Sequence, residues 1–288
     1  MFTKLSRRAF SHTATQHLAY EVYDSPGTHK VLYIVHGLLG SARNWRSLSN
    51  GLRKALGPDT WRVVAVDLRG HGKSTPRQIG SGERHDVVNA ASDVEALARS
   101  RGETIDVVVG HSLGGKIALE LSRLAANAPK QIWSLDSVPG RVVGDTHGVA
   151  QVLDAVVGLP RRIPSRRKLA ELLAPFKFSA QLVDWLGSNL QAVGENELEF
   201  VFDIDIAKNL YDSYRVSDSW HAIEAPVSNV FIVKAELSTR WRPECLQRLH
   251  QAPQSRVKLL ELANAGHWLH ADNPSGLIEM LSTHISKI

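Results

Sequence analysis

The sequence predicts an α/β fold with a mostly parallel central sheet, and two observations support this class. Short runs rich in Val and Ile, at 31–35, 63–66 and 107–109, are typical of strands buried on both faces. Amphipathic stretches separate these runs, and alternating strands and helices form βαβ units. With 288 residues, 43% of them hydrophobic, the chain can bury a large core.

The first half of the chain supplies most of the predicted sheet. The opening segment LAYEVY alternates apolar and polar residues, as a half-buried strand does. Buried strands are predicted in KVLYIVHG, TWRVVAVDLRGHG and IDVVVGHS, and a short strand in QIWSLDS. Helices are predicted in the segments between them, ERHDVVNAASDVEALARSR and LGGKIALELSRLAA, because their apolar residues recur at helical spacing.

The alternation stops after Pro139 and resumes near residue 222. Between these points the pattern is mainly helical, interrupted by prolines, and contains no buried strand of the earlier type. The strands then continue with NVFIVKAE and RVKLLELA. We therefore expect a core formed by 17–139 and 222–288, with 140–221 inserted as a helical cap or lid.

The first 16 residues differ from the rest of the chain. Lys4, Arg7 and Arg8 precede the first acidic residue, Glu21, and apolar residues gather on the opposite helical face. A basic, acid-free amphipathic segment is typical of an organelle transit peptide. The segment 1–16 is thus expected to be a targeting segment, or otherwise a disordered tail, with a mitochondrial location favoured over a cytoplasmic one.

Composition excludes several classes of function. The formal net charge of +5 is mild, and no aromatic-basic motif accompanies it, so nucleic acid is not an expected partner. No apolar run approaches the roughly 18 residues of a transmembrane helix. The single cysteine, Cys245, permits no internal disulfide. The sequence lacks metal-binding and dinucleotide fingerprints, so neither a metal nor a cofactor is expected. It carries no signal for an oligomeric state.

The most informative motif is GHSLG, which spans 110–114. A strand is predicted before it and a helix after it, and this context distinguishes a nucleophile turn from an ordinary glycine-rich turn. Glycines on both sides of Ser112 allow the backbone to pass close to its neighbours. The hydroxyl would then project above the carboxyl ends of the strands, where open α/β sheets bind ligands.

From residue 18 onward the chain resembles the α/β-hydrolase superfamily in four motifs: HG after the strand VLYIV, DLRGHGKS, GHSLGGK and NAGHWLHADNP. The resemblance implies an α/β-hydrolase fold and a serine nucleophile at Ser112. His36-Gly37 corresponds to the oxyanion loop, so the amides of Leu38 and Leu113 would bind the oxyanion. His71, within DLRGHGKS, would be structural. Relatives that use an aspartate nucleophile are excluded by the serine at position 112.

A serine hydroxyl needs a base to accept its proton. The chain has 13 histidines. The family carries its base on the loop between the last strand and the last helix, which points to His267. His270 lies three residues further on, His111 adjoins the serine, and His36 belongs to the oxyanion loop.

The third expected residue is a carboxylate that orients the histidine. Most members of the superfamily carry it after the strand corresponding to 229–236, where this chain has Ser238. One subgroup has an aspartate one strand earlier and a serine at the usual position. This subgroup includes bacterial short-chain esterases and the α/β-hydrolase domain-containing protein 11 type. Asp136 matches that aspartate, and Ser238 would be an accessory residue bonded to His267 or Asp136.

Other carboxylates are also candidates for the acid that orients the histidine. Glu236 lies near the usual acid position but close to the strand end, and Asp203 and Asp205 lie within the insertion. Asp136 itself could instead cap a helix.

The resemblance implies a serine hydrolase that acts on a small carboxylic ester or thioester through an acyl-enzyme, and a lipid is one candidate substrate. Three alternatives remain: acyl transfer to an alcohol, carbon–carbon bond hydrolysis, and a non-catalytic binding protein. The basic stretch RRIPSRRK at 161–168 is either a solvated helix start or a rim that meets anionic lipid or coenzyme A.

Overall fold

The computed structural model describes residues 18–74, 84–124, 128–142 and 148–288. The proposed targeting segment at 1–16 lies outside these residues. The strands are β1 Tyr20–Tyr23, β2 Lys30–Val35, β3 Trp61–Val66, β4 Val107–His111, β5 Gln131–Leu135, β6 Leu190–Gly194, β7 Glu197–Phe200, β8 Asn229–Ala235 and β9 Val257–Leu262. The helices are α1 Arg46–Leu56, α2 Val87–Ser100, α3 Leu113–Leu124, α4 Val149–Val157, α5 Arg166–Leu173, α6 Ala180–Ser188, α7 Ile204–Val216, α8 His221–Glu224, α9 Pro243–His250, α10 Leu269–Asp272 and α11 Pro274–Ile285.

A seven-stranded sheet forms the centre of the molecule, in the order β1-β3-β2-β4-β5-β8-β9. The strand β1 pairs antiparallel with β3, and the other pairs in this sheet are parallel. The predicted α/β fold with a mostly parallel sheet is confirmed. Because neighbouring parallel strands point the same way, the loops after β2, β4, β5 and β9 meet at one edge of the sheet.

Both faces of the sheet are covered by apolar side chains. Successive residues of β2 point to opposite faces of the sheet and join two different buried clusters. Tyr33 and Val35 belong to the first cluster, and Leu32 and Ile34 belong to the second. The first cluster includes residues of α2 and α3, and the second includes residues of α1 and α11. Burying one such aliphatic side chain fully contributes about 1.5–3 kcal/mol. This two-sided burial explains why the parallel strands have continuous apolar sequences.

The segment between β5 and β8 contains α4–α8 and a two-stranded hairpin, β6-β7. The sequence indicated helices here, and the hairpin is an addition to that prediction. Four of the five β6 residues are exposed, so the alternation that marks a half-buried strand is absent. Helix α7 contacts α2 and α3, and its Ile206 and Leu210 belong to the first core cluster. The insertion is therefore packed onto the core.

A buried lysine links the insertion to the helix that follows Ser112. The Nζ of Lys116 donates to the carbonyl oxygens of Gly140, Tyr214 and Ser217 at 2.8, 2.6 and 2.9 Å. All three N–H groups of the ammonium are thus used. Burial lowers the pKa of Lys116 to about 7, because the charged form loses hydration. The contacts fix the end of α7 relative to α3.

Across the described ranges, no helix combines the length and apolar character required to span a bilayer.

Candidate active site

Ser112 lies on the turn between β4 and α3, where its φ of 53° falls in the left-handed region. The flanking glycines are required by close backbone approach. A Cβ on Gly110 would lie 1.9 Å from the carbonyl oxygen of Gly114. A Cβ on Gly114 would lie 2.2 Å from the carbonyl oxygen of Val35. The sequence G-x-S-x-G is therefore what this strained turn demands.

The two residues expected to bind the oxyanion line one cavity together with Ser112. Leu113 is the first residue of α3, so its amide has no acceptor within the helix and lies at the positive end of the helix dipole. Leu38 lies in the loop after β2. Their role as oxyanion donors stays a prediction that this arrangement supports.

Two buried histidines hold the loop after β2 against the loop after β3. The Nε2 of His36 accepts from the amide of Leu68 at 3.0 Å, and the Nε2 of His71 accepts from the amide of Leu39 at 3.1 Å. The Nδ1–H of each ring donates to a main-chain carbonyl oxygen, at 2.7 and 2.9 Å. Burial lowers the pKa of His36 to about 4 and that of His71 to about 3. Both rings are therefore neutral at pH 7, and their hydrogen bonds stabilise the contact between the two loops.

A buried carboxylate, Asp136, and a half-buried imidazole, His267, form a hydrogen-bonded pair. Asp136 directly follows β5 with φ 42°, and His267 lies on the loop after β9. The His267 Nδ1 is 2.7 Å from Asp136 Oδ2. Because a carboxylate only accepts, Nδ1 carries the proton and the basic lone pair is on Nε2. Burial by itself raises the pKa of Asp136, but the hydrogen bond and charge of His267, followed by further hydrogen bonds, bring it below its usual value.

Three more donors contact the Asp136 carboxylate. Ser238 Oγ donates to Oδ2 at 2.9 Å, Trp241 Nε1 donates to Oδ1 at 2.7 Å, and the amide of Ala235 lies 3.4 Å from Oδ1. Of the two partners expected for Ser238, the structure therefore gives Asp136. Trp241 was not anticipated from sequence, because a tryptophan after a strand gives no indication of which acceptor its indole meets.

The alternative carboxylates have other partners. Glu236 Oε2 accepts from the amide of Asn264 at 2.7 Å. Asp203 caps α7 by accepting from the amides of Asp205 and Ile206 at 3.0 and 3.1 Å. Asp205 lies within the first turn of that helix. Among these acids the geometry favours Asp136 as the partner of His267.

The neighbouring histidines also contribute to the site. His111 donates from Nε2 to the carbonyl oxygen of His267 at 2.7 Å, and burial keeps its pKa well below the usual value. It therefore positions the backbone of the proposed base, a role that sequence reasoning missed. His270 stacks on Trp45 with ring centroids 4.2 Å apart, and burial lowers its pKa to about 4.

The cavity at Ser112 has a volume of about 280 Å³. The insertion supplies an apolar wall that includes Val149, Val152, Leu182 and Trp185. Such a wall suits an acyl chain and limits access of water.

The basic stretch at 161–168 is largely paired within the insertion. Arg161 and Arg162 form ion pairs with Glu199, and Arg162 also pairs with Glu197. Arg167 and Lys168 both pair with Glu171 at 3.2 Å. Arg166 donates to the carbonyl oxygen of Gly187 at 2.8 Å. These contacts favour the interpretation as a solvated helix start.

Cys245 is partly buried, and burial raises the pKa of its thiol to about 11, as expected for an inert side chain. In the ranges for which coordinates are described, no group of three or more His, Cys, Asp or Glu side chains could hold a metal ion.

Residues 32–280 match the Alpha/beta hydrolase family. The chain belongs to this family. It is 26% identical over 275 residues to the mouse sn-1-specific diacylglycerol lipase ABHD11, covering 93% of this chain and 85% of that protein. It is 24% identical over 267 residues to the Escherichia coli esterase YbfF, covering 88% of this chain and 92% of that protein.

The fold of this hydrolase is also similar to that of proteins with solved structures. A marine microorganism esterase superposes with a TM-score of 0.78 at 23% identity, covering 93% of this chain and 98% of the esterase. This likeness concerns the fold. Together with the family match, it confirms the predicted α/β-hydrolase fold.

Proposed function

We propose that this hydrolase cleaves carboxylic esters or thioesters through an acyl-enzyme, with Ser112, His267 and Asp136 as its catalytic residues. One observation carries the proposal: the 2.7 Å contact between His267 Nδ1 and Asp136 Oδ2, at a cavity that Ser112 also lines. The named activities of the relatives, esterase and diacylglycerol lipase, support an ester substrate.

In the first half-reaction Ser112 Oγ attacks the acyl carbonyl carbon while His267 Nε2 takes the hydroxyl proton. The carbonyl oxygen becomes an oxyanion, which the amides of Leu38 and Leu113 stabilise. Asp136 stabilises the imidazolium. When the bond to the leaving oxygen or sulfur breaks, His267 transfers its proton to that atom. The products are an alcohol or thiol and an ester on Ser112.

In the second half-reaction water attacks the acyl-enzyme. His267 Nε2 removes a proton from the water and then returns it to Ser112 Oγ, which releases a carboxylic acid and the free enzyme. The imidazole is neutral at the start and at the end of the cycle.

The size of the cavity bounds the substrate. Its volume of about 280 Å³ lies just below the roughly 300–1,000 Å³ of pockets for drug-sized ligands. We therefore infer a substrate that places one short or medium acyl chain in the cavity. The insertion 140–221 acts as the lid in this proposal, since α4 and α6 provide the apolar wall.

The test is the Ser112→Ala substitution, assayed with p-nitrophenyl butyrate and by labelling with a fluorophosphonate probe. We expect the rate to fall by more than about 10³-fold and labelling to disappear, because the nucleophile is absent. Ser100→Ala is the matched control, because Ser100 ends α2 and is exposed. Full activity of Ser112→Ala would refute the proposal.

We also propose a mitochondrial location, which depends on the basic segment 1–16. A fluorescent protein fused after this segment should enter mitochondria, and a fusion with Lys4, Arg7 and Arg8 replaced by glutamine should not. Equal distribution of the two fusions would contradict it.

A further inference from the structure

A second cavity adjoins the one at Ser112. It has a volume of about 430 Å³, and Tyr214 and Arg240 line both cavities. These two side chains therefore form the partition between them. We call the second cavity the arginine annex, because four arginines and two carboxylates contribute to its lining: Arg141, Arg240, Arg242, Arg248, Asp218 and Glu244.

The side chain of Arg240 is largely buried, but its guanidinium has no close hydrogen-bond partner. Its side chain is 11% exposed, and its Nε lies 4.0 Å from Asp136 Oδ2, which is longer than a hydrogen bond. Within the part of the chain that the structure describes, its guanidinium makes no hydrogen bond. That group carries five N–H donors, and Arg240 lines both cavities, so a molecule bound there can accept from them.

Asp136 does not require Arg240 as a hydrogen-bond donor. Its two carboxylate oxygens already receive contacts from His267, Ser238, Trp241 and the amide of Ala235. A residue whose purpose was to satisfy this carboxylate would lie within hydrogen-bond distance of it.

Two other cations in or beside the annex, Lys116 and Arg248, differ from Arg240 because they have close partners. Lys116 donates to three carbonyl oxygens. Arg248 donates to Glu224 Oε1 at 2.5 and 2.8 Å, and its guanidinium lies 4.1 Å from the ring centroid of Trp220. Arg240 thus combines a largely buried side chain, a permanent charge and unused donors at the boundary of the two cavities.

We propose that Arg240 binds an anionic oxygen group, a carboxylate or a phosphate, on the substrate whose ester or thioester bond is cleaved at Ser112. A planar guanidinium binds such a group through two parallel hydrogen bonds. The annex holds the charged end of the substrate, and the cavity at Ser112 holds the reacting end. The two annex carboxylates are outnumbered by the four arginines, so the lining retains a positive balance. This inference rests on the proposed function and adds a substrate class to it.

Two substrate pairs test the inference and locate the charge. The first pair is the p-nitrophenyl monoester of glutaric acid against p-nitrophenyl pentanoate, which have acyl chains of equal length and differ in a terminal carboxylate. The second pair is butyryl-4′-phosphopantetheine against butyryl-pantetheine, which differ only in the phosphate of the leaving group. The measured quantity is the ratio of kcat/KM for the anionic member to kcat/KM for the neutral member.

In the wild-type enzyme we expect this ratio to exceed one for at least one pair. Arg240→Met should lower that ratio by about 10- to 100-fold, the usual effect of losing hydrogen bonds to a charged group. Arg240→Lys should restore part of it, because the charge returns without the planar fork. The pair that responds shows whether the anion lies on the acyl half or on the leaving group.

Arg256→Met is the matched control, because this exposed arginine lines neither cavity and donates to the carbonyl oxygen of Val227, and its ratio should stay within about twofold of wild type. Equal losses on both members of each pair in Arg240→Met would overturn the inference and leave Arg240 as a distant counter-ion of Asp136. A wild-type enzyme without preference in either pair would overturn it as well. In both cases the proposed function would survive, since it is tested separately by the Ser112→Ala variant.

Discussion

Two aspartates occupy equivalent places at the carboxyl edge of the sheet but have different partners. Asp67 follows β3, Asp136 follows β5, and both are buried, with 5% and 0% exposure. The oxygens of Asp67 accept from the amides of Ala42 and Lys73 at 2.7 and 2.8 Å. Asp136 instead meets side chains, including the imidazole of His267.

The partners change the chemistry of the two acids. Burial raises the pKa of Asp67, and the two amide hydrogen bonds only partly oppose this effect. The pKa of Asp136 is lowered despite burial, because His267 donates to it and attracts its charge. A carboxylate held by amides fixes a loop, whereas a carboxylate held by an imidazole can also stabilise a proton that arrives on that ring.

The largest effect should come from removing the charge of Asp136. Asp136→Asn should lower kcat on p-nitrophenyl butyrate by about 10³- to 10⁴-fold, because a neutral amide cannot stabilise the imidazolium and favours the wrong tautomer. Circular dichroism and the unfolding midpoint in urea would verify that the variant is folded. A folded variant with more than a tenth of wild-type activity would place the acid elsewhere.

This comparison also shows which parts of the site can be predicted from sequence. Ser112 could be proposed as the nucleophile because G-x-S-x-G reflects a local requirement, namely two glycines with no room for a Cβ. Asp136 and His267 were expected from the resemblance to the superfamily, which carries its base after the last strand and, in one subgroup, its acid one strand earlier than usual. In each case the information lies within about ten residues of the chain.

The residues that were missed depend on contacts between distant segments. Trp241 bonds to Asp136 across 105 positions, and His111 bonds to His267 across 156. No local pattern encodes such a pairing. The hairpin β6-β7 was missed for a different reason: four of the five β6 residues are exposed and all four β7 residues are half-buried, so no alternating burial pattern marks its strands.

The second prediction concerns the structural side of the comparison and its pH dependence. His71 follows Asp67 in the same turn, and its pKa is lowered to about 3, while that of His36 is lowered to about 4. Between about pH 6.5 and those values the unfolded chain binds protons that the folded chain does not. The free energy of unfolding should therefore fall as pH falls through this window, by up to about 1.4 kcal/mol per pH unit for each ring.

Urea unfolding at pH 7, 5.5 and 4.5 measures this slope. His71→Gln should flatten it, because an amide oxygen can replace Nε2 as the acceptor for Leu39 without titrating. A slope that is the same in the wild type and in the variant would show that acid sensitivity arises elsewhere.

The third prediction is that Asp67→Asn lowers the free energy of unfolding but leaves the rate of the chemical step nearly unchanged. The substituted side chain retains one oxygen for one amide, but its NH₂ group faces the other N–H donor. The expected loss is about 1–3 kcal/mol in the free energy of unfolding. The kcat of the folded fraction should stay within about threefold of wild type, since the carboxylate contacts neither Ser112 nor His267. A loss of kcat as large as that of Asp136→Asn would remove the distinction between the two acids.

The smallest effect is expected for Glu236, the acid nearest to the position that most of the superfamily uses. Its Oε2 accepts from the amide of Asn264 at 2.7 Å on an exposed loop, and glutamine can provide the same acceptor. Glu236→Gln should therefore change kcat/KM by less than about twofold, as is usual for exposed substitutions. The measurement uses p-nitrophenyl butyrate beside Asp136→Asn at the same pH. A loss near 10³-fold in Glu236→Gln alone would transfer the catalytic acid from β5 to β8, because the glutamine leaves the loop contact intact and removes only the charge.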